Sequence, residues 1–220
     1  MARTARLIIP GVAVHVVQRA HDRADCFLSE ADYEAYLAAL WMHAARFGCA
    51  VHAYCLMTNH VHLLLTPRDS TGCAQLMKHV AQRYSWRMKA KTSRSGTLWE
   101  GRFFSALVPT ENYALACYRY IELNPVRAAL AAHAAAYRWS SYRANAGVRI
   151  DDFLIPHAAY LALATDNTRR AAAYAALCNT SLDRRLIENI RKATRGGYPI
   201  GATRRPRGRP KMVTVTVRKW

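Results

Sequence analysis

The sequence predicts a segregated α+β fold, an antiparallel sheet with helices packed on one face. Three observations carry that prediction. Short β-branched runs alternate with amphipathic segments of helical period, two of the runs are joined by a tight turn, and the order is strand, helix, hairpin, helix, strand, helix.

The first run, GVAVHVVQR at 11–19, is a strand closed by the polar patch 20–25. Ser29 with Asp32 three residues on resembles a capping box, and Tyr33, Tyr36, Leu37, Leu40, Trp41 and Ala44 follow at helical spacing until Gly48 ends the helix. CAVHAYCLM (49–57) and HVHLLLTP (60–67) flank the turn Thr58-Asn59 and make a hairpin. From Gly72 to Ala90, Leu76, Met77, Val80, Tyr84 and Met88 recur among basic residues, which gives an amphipathic basic helix. A loop, KTSRSG, leads to a fourth strand over 102–108. A third helix over 110–124 is expected to stop at Pro125, because proline disfavours helical geometry in the residue before it.

Beyond Ala144 the chain turns to Ala-rich helical stretches at 156–164, 168–178 and 182–194, followed by a Gly/Pro/Arg tail. The expected organisation is a first domain over 1–145, a helical extension over 146–198 and a basic tail over 199–220. At 220 residues, one full core plus an appendage is the natural division.

A formal charge of +18 points to a polyanionic partner, and nucleic acid is the first candidate. No run of 18 apolar residues and no signal-peptide core appears, so a cytoplasmic, nucleoid-associated protein without membrane contact is expected. The six cysteines contain no CxxC pair, which argues against a zinc ribbon or a redox motif.

His60 and His62 lie two apart on an apolar strand, so both imidazoles face the same side of the sheet and can grip one cation. On spacing alone the pair reads more readily as structural histidines. Tyr120 and Asn124, four apart on the third helix, share a face one turn from each other. They read either as nucleophile and ligand or as a packed aromatic and a helix end.

Four segments decide between these readings: MTNHVHLLLTP (57–67), LWEGRFFSALV (98–108), YRYIELNPVRA (118–128) and WSSY (139–142). In this order they resemble the REP-associated tyrosine transposases, single-tyrosine enzymes with a His-hydrophobic-His motif. The resemblance runs from about Arg6 to Tyr142. It implies a ferredoxin-like or RRM-like sheet, His60 and His62 as metal ligands, Asn124 as the third, and Tyr120 as nucleophile. It implies Mg2+ or Mn2+, whereas imidazole ligands by themselves favour zinc. No organic cofactor is expected. The implied activity is cleavage and rejoining of single-stranded, hairpin-bearing DNA through a 5′-phosphotyrosine. A monomer is implied, with the dimer of the wider family as the alternative.

For DNA contact the sequence offers Lys78, Arg83, Arg87 and Lys89 on the second helix, with Tyr84 and Trp86 interleaved, and Arg102 before the fourth strand. Arg205, Arg207 and Arg209 lie in a Pro-Arg-Gly-Arg-Pro segment that resembles an AT-hook. A basic solvated helix and generic phosphate attraction are the plainer readings. His15 is placed either beside the histidine pair or in the packing. The competing functions are a catalytically silent nucleic-acid-binding regulator on the same fold and a zinc hydrolase, which lacks an HExxH-type set.

Overall fold

A computed structural model describes residues 6–92 and 96–202. Arg205, Arg207 and Arg209 lie outside the described residues.

The elements β1 (Ala13–Arg19), α1 (Glu30–Arg46), β2 (Cys49–Met57), β3 (His60–Pro67), α2 (Gly72–Thr92), β4 (Phe104–Val108) and α3 (Glu111–Glu122) follow the expected order. The strands pair β2-β3-β1-β4, every pair antiparallel. The α1 start is fixed by the Asp32 carboxylate, which accepts from the Leu28 and Ser29 amides at 3.0 Å each. Its end is marked by Gly48, whose φ of +59° suits a residue without Cβ.

Helices cover both faces of the sheet, which extends the expectation of one covered face. On one side α1 and α2 bury Val14, Val16, Leu63, Leu65 and Leu107 with the rings of Phe27, Tyr36 and Tyr84. On the other, Cys117 and Ile121 of α3 pack on Cys55, Leu64, Ala106 and Val108. The reason is visible in the strands. β2 and β3 are buried at nearly every position, and a strand apolar on both sides needs cover on both. A bulge between Val51 and Ala53 assigns the faces on β2. Simple alternation would put these two residues together; with the extra residue, Val51 joins the α1 side while Ala53, Cys55 and Met57 join the α3 side.

The third helix ends before Pro125, as expected, and Pro125 then opens a further short helix. After α3 ends at Glu122, a short α4 (Asn124–Arg127) carries Pro125 in its first turn, where the missing N–H is not needed. Next come α5 (Tyr142–Asn145), α6 (Ala158–Leu161), α7 (Asn167–Cys178) and α8 (Arg184–Gly196). These share the α3-side core: Tyr160, Tyr174, Ile190 and Ala193 pack with Tyr118 and Ile121.

A buried polar knot fastens that packing. Glu122, fully buried, accepts from Ser141 Oγ, from Asn145 Nδ2 at 2.7 Å and from Tyr174 Oη at 2.5 Å. Burial pushes its carboxyl up to about 7, and the three donors hold it from rising further. The six cysteines are all buried and none is in a disulfide. Among the described residues no helix is long and apolar enough to cross a membrane.

Candidate active site

The histidine motif sits on the α3 side of β3. His62 pairs with Val17 of β1 and Cys55 of β2, and His60 with Arg19 and Met57. Alternation therefore places His15, Val17 and Arg19 on the same surface as the two histidines. A cavity of about 510 Å3 opens there, and Tyr120, Asn124 and Arg127 form another part of its wall.

A chain of hydrogen bonds fixes the proton on each imidazole. Thr194 Oγ1 donates to the Ile190 carbonyl at 2.8 Å, so toward His15 Nδ1, 2.8 Å away, it accepts. Burial lowers His15 to about 3, so its ring is neutral and its Nε2 carries a lone pair. That lone pair, 3.0 Å from His62 Nδ1, requires His62 to be the donor. His62 is itself held well below its usual pKa, by burial first and by His60 and His15 next. Its Nε2 is left as a bare lone pair.

His60 reaches the same state by another route. Asn59 Nδ2 donates to the Arg23 carbonyl at 3.1 Å, which orients its amide. The Asn59 oxygen then accepts from His60 Nδ1 at 2.6 Å. Burial, with Arg19 nearby, lowers His60 to about 4. Both histidines therefore present neutral Nε2 atoms, with ring centroids 4.9 Å apart, the donor set that a cation needs.

Tyr120, 4 % exposed, meets these rings edge-on, 5.6 Å from His15 and 5.7 Å from His62. The Arg127 guanidinium lies 4.6 Å from the Tyr120 ring centroid. Arg127 also donates to the Tyr120 carbonyl and, at 2.9 Å, to Asn124 Oδ1. Burial lowers its pKa to about 10, so it stays a cation at neutral pH. Across the break between α3 and α4 this one side chain holds Tyr120 and Asn124 on the same wall. Asn124 Oδ1 is thereby turned toward Arg127, and its Nδ2 is buried without a partner among the described residues. Its remaining oxygen lone pair is what a cation could use. No group of three or more His, Cys, Asp or Glu able to hold a metal occurs among the described residues, so a third ligand from these residues would be of another kind, such as this amide oxygen.

Among the described residues, five guanidiniums line the cavity: Arg19, Arg23, Arg127, Arg191 and Arg195. None was singled out in the sequence. Arg127 carried a signal, one helical turn past Asn124, and Arg191 and Arg195 share a face of α8. Thr194 carried none. Of the basic residues that the sequence offers for DNA contact, those within the described residues lie elsewhere. Lys78 and Lys89 border a separate groove, Arg83 and Arg87 face α1 beside Ala35, Ala38 and Met42, and Arg102 is exposed outside the cavity. Trp99 is buried and donates to the Ala81 carbonyl at 3.3 Å, a packing role.

The family model of IS200-like transposases matches residues 9–124, more than half of the chain. Among solved structures, a REP-associated tyrosine transposase bound to a REP hairpin aligns with a TM-score of 0.58 at 13 % identity, over 72 % of this chain and 93 % of that one. That likeness is one of fold. A candidate transposase from Deinococcus radiodurans R1 aligns at 20 % identity over 52 % of this chain and 92 % of that one, with a TM-score of 0.38. No curated protein matches the chain.

Proposed function

The chain belongs to the IS200-like transposases, and on that premise we propose that it cleaves and rejoins single-stranded, hairpin-bearing DNA through a 5′-phosphotyrosine on Tyr120. The observation that carries this reading is the pair of neutral Nε2 lone pairs facing the cavity that Tyr120 lines. Histidines kept only for packing need no such relay.

His60 and His62, with Asn124 as third ligand, would hold Mg2+ or Mn2+, whose chemistry is to withdraw charge from a non-bridging phosphate oxygen. The residues of the chain do the rest. Arg127 fixes the Tyr120 backbone and the face of its ring. Arg19, Arg23, Arg191 and Arg195 neutralise the phosphates on either side of the scissile bond. Tyr120 Oη attacks phosphorus, the P–O3′ bond breaks, and the phenolic proton passes through solvent to the departing 3′ oxygen. The result is a phosphotyrosine and a free 3′-hydroxyl. Because one phosphodiester is exchanged for another, a 3′-hydroxyl can reverse the step on a new 5′ end without ATP.

The test is a labelled single-stranded hairpin oligonucleotide incubated with the protein and Mg2+, then resolved in SDS. A covalent adduct is expected from the native chain and none from Tyr120→Phe. An adduct that persists in Tyr120→Phe, or binding of hairpins with no adduct from any of them, overturns the mechanism. The second outcome is the one a catalytically silent regulator would give.

A further inference from the structure

The cations of α2 fall into two groups. Arg87 and Lys91 turn toward α1, where Asp32 lies 3.7 Å and 2.6 Å from them. Lys78 and Lys89 have no ion pair or hydrogen bond among the described residues, and they flank Trp86 at the rim of a groove of about 1050 Å3. Positions 78, 82, 86 and 89 form one helical stripe. Trp86 is 77 % exposed, a large ring left in water between two unpaired ammonium groups. Apolar floor is supplied by Ala81, Met88 and Leu98.

A smaller cleft lies between this groove and the Tyr120 cavity. His21 and Asp22 border both the groove and the cleft, and the cleft shares Arg19, Arg23 and Arg195 with the cavity. The junction is a turn in which Asp22 and Arg23 both adopt positive φ, 52° and 55°. Such a conformation is costly for arginine and is kept where surrounding structure enforces it.

We propose that the Trp86 groove binds the unpaired flank of the DNA whose hairpin-adjacent phosphate lies at Tyr120. An unpaired base stacks on the Trp86 indole, and the neighbouring phosphates lie against Lys78 and Lys89. An exposed ring between cations suits single strands because their bases have free faces, whereas those of a duplex are covered by their neighbours. The inference rests on the transposase reading above and adds a second DNA site to it.

The test measures binding of the full chain to three fluorescent oligonucleotides: a blunt hairpin, and the same hairpin with a 5′ or a 3′ flank of about eight unpaired nucleotides, within the known range of single-strand site sizes. Trp86→Ala is expected to weaken at least one flanked hairpin by about 5- to 150-fold, the loss typical of one stacking platform. The blunt hairpin should be unaffected and Trp86→Phe should restore most of the loss. Removing Lys78 and Lys89 together should reduce the salt slope for that flanked hairpin by about 1.4. Equal losses on the blunt hairpin, or no loss on either flank, overturn the proposal. A native chain that forms the Tyr120 adduct while Trp86→Ala binds normally rejects the groove alone; one that binds no oligonucleotide rejects the transposase reading with it.

Discussion

The two faces of the sheet are built on opposite principles. Toward α1 and α2 the strands present Val, Leu and aromatic rings, and that core is close-packed and largely apolar. Toward α3 and α8 the same strands present His15, His60 and His62, and Glu122, Asn124 and Arg127 are buried or half-buried behind them. A buried polar group without a partner costs about 1–3 kcal/mol, so this face is affordable only where hydrogen bonds close. They close in the Glu122 knot and in the run from Ile190 through Thr194 and His15 to His62, while Asn124 Nδ2 stays open among the described residues. One face supplies stability, and the other spends part of it to hold chemistry in place.

The sharpest break between the faces should come from single substitutions. Tyr120→Phe should abolish the covalent adduct while the thermal unfolding midpoint barely moves, since only a hydroxyl at the cavity wall is removed. Leu63→Ala on the opposite side, fully buried, should cost about 2–5 kcal/mol in urea unfolding. It should leave cleavage per folded molecule intact. If Leu63→Ala disabled cleavage without loss of stability, the division between the faces would fail.

A smaller effect tests the relay itself. Thr194→Val keeps the shape of the side chain but removes the acceptor that holds the proton on His15 Nδ1. Mn2+ affinity measured by titration calorimetry should fall about 10- to 100-fold, as for other partners of metal-binding histidines, with the fold retained. Unchanged affinity would mean that the His15–His62 contact does not set the tautomer.

The smallest effect is in the pH dependence of stability. His15, at about 3, and His52, at about 4, are depressed by burial. Between an unfolded value of about 6.5 and those values, the unfolded chain binds protons that the folded chain refuses. Stability should therefore fall as pH falls through that window. Glu122, raised to about 7 by burial, works in the opposite sense: its contribution is lost as pH rises from about 4.5 toward 7. His52→Gln should flatten the acid slope of the unfolding midpoint, and Glu122→Gln should steepen it. The same sign for both would contradict the assignment.

Much of the fold was legible in the sequence because its signals are local. Period-two and period-3.6 patterns located the strands and long helices, and the Thr58-Asn59 turn set the hairpin register that places His60 opposite Met57. The faces were harder to read. The unbroken apolar runs of β2 and β3 did carry the sign of two-sided burial, yet which helix covers which side depends on a bulge at residue 52 and on the restart at Pro125. Likewise the basic stripe of α2 was visible, but its division between Asp32 and the Trp86 groove was not.

For the site, the sequence by itself determined that two imidazoles share a face of one strand and that a tyrosine lies on the third helix, since strand and helix geometry follow from nearest neighbours. Only the tertiary structure decided that α3 faces those imidazoles, that Arg127 bridges Tyr120 to Asn124, and that Thr194 reaches His15 across 179 residues. No periodicity encodes a contact that distant; it exists because burying the apolar sides of α3 and α8 on one sheet brings their polar residues together.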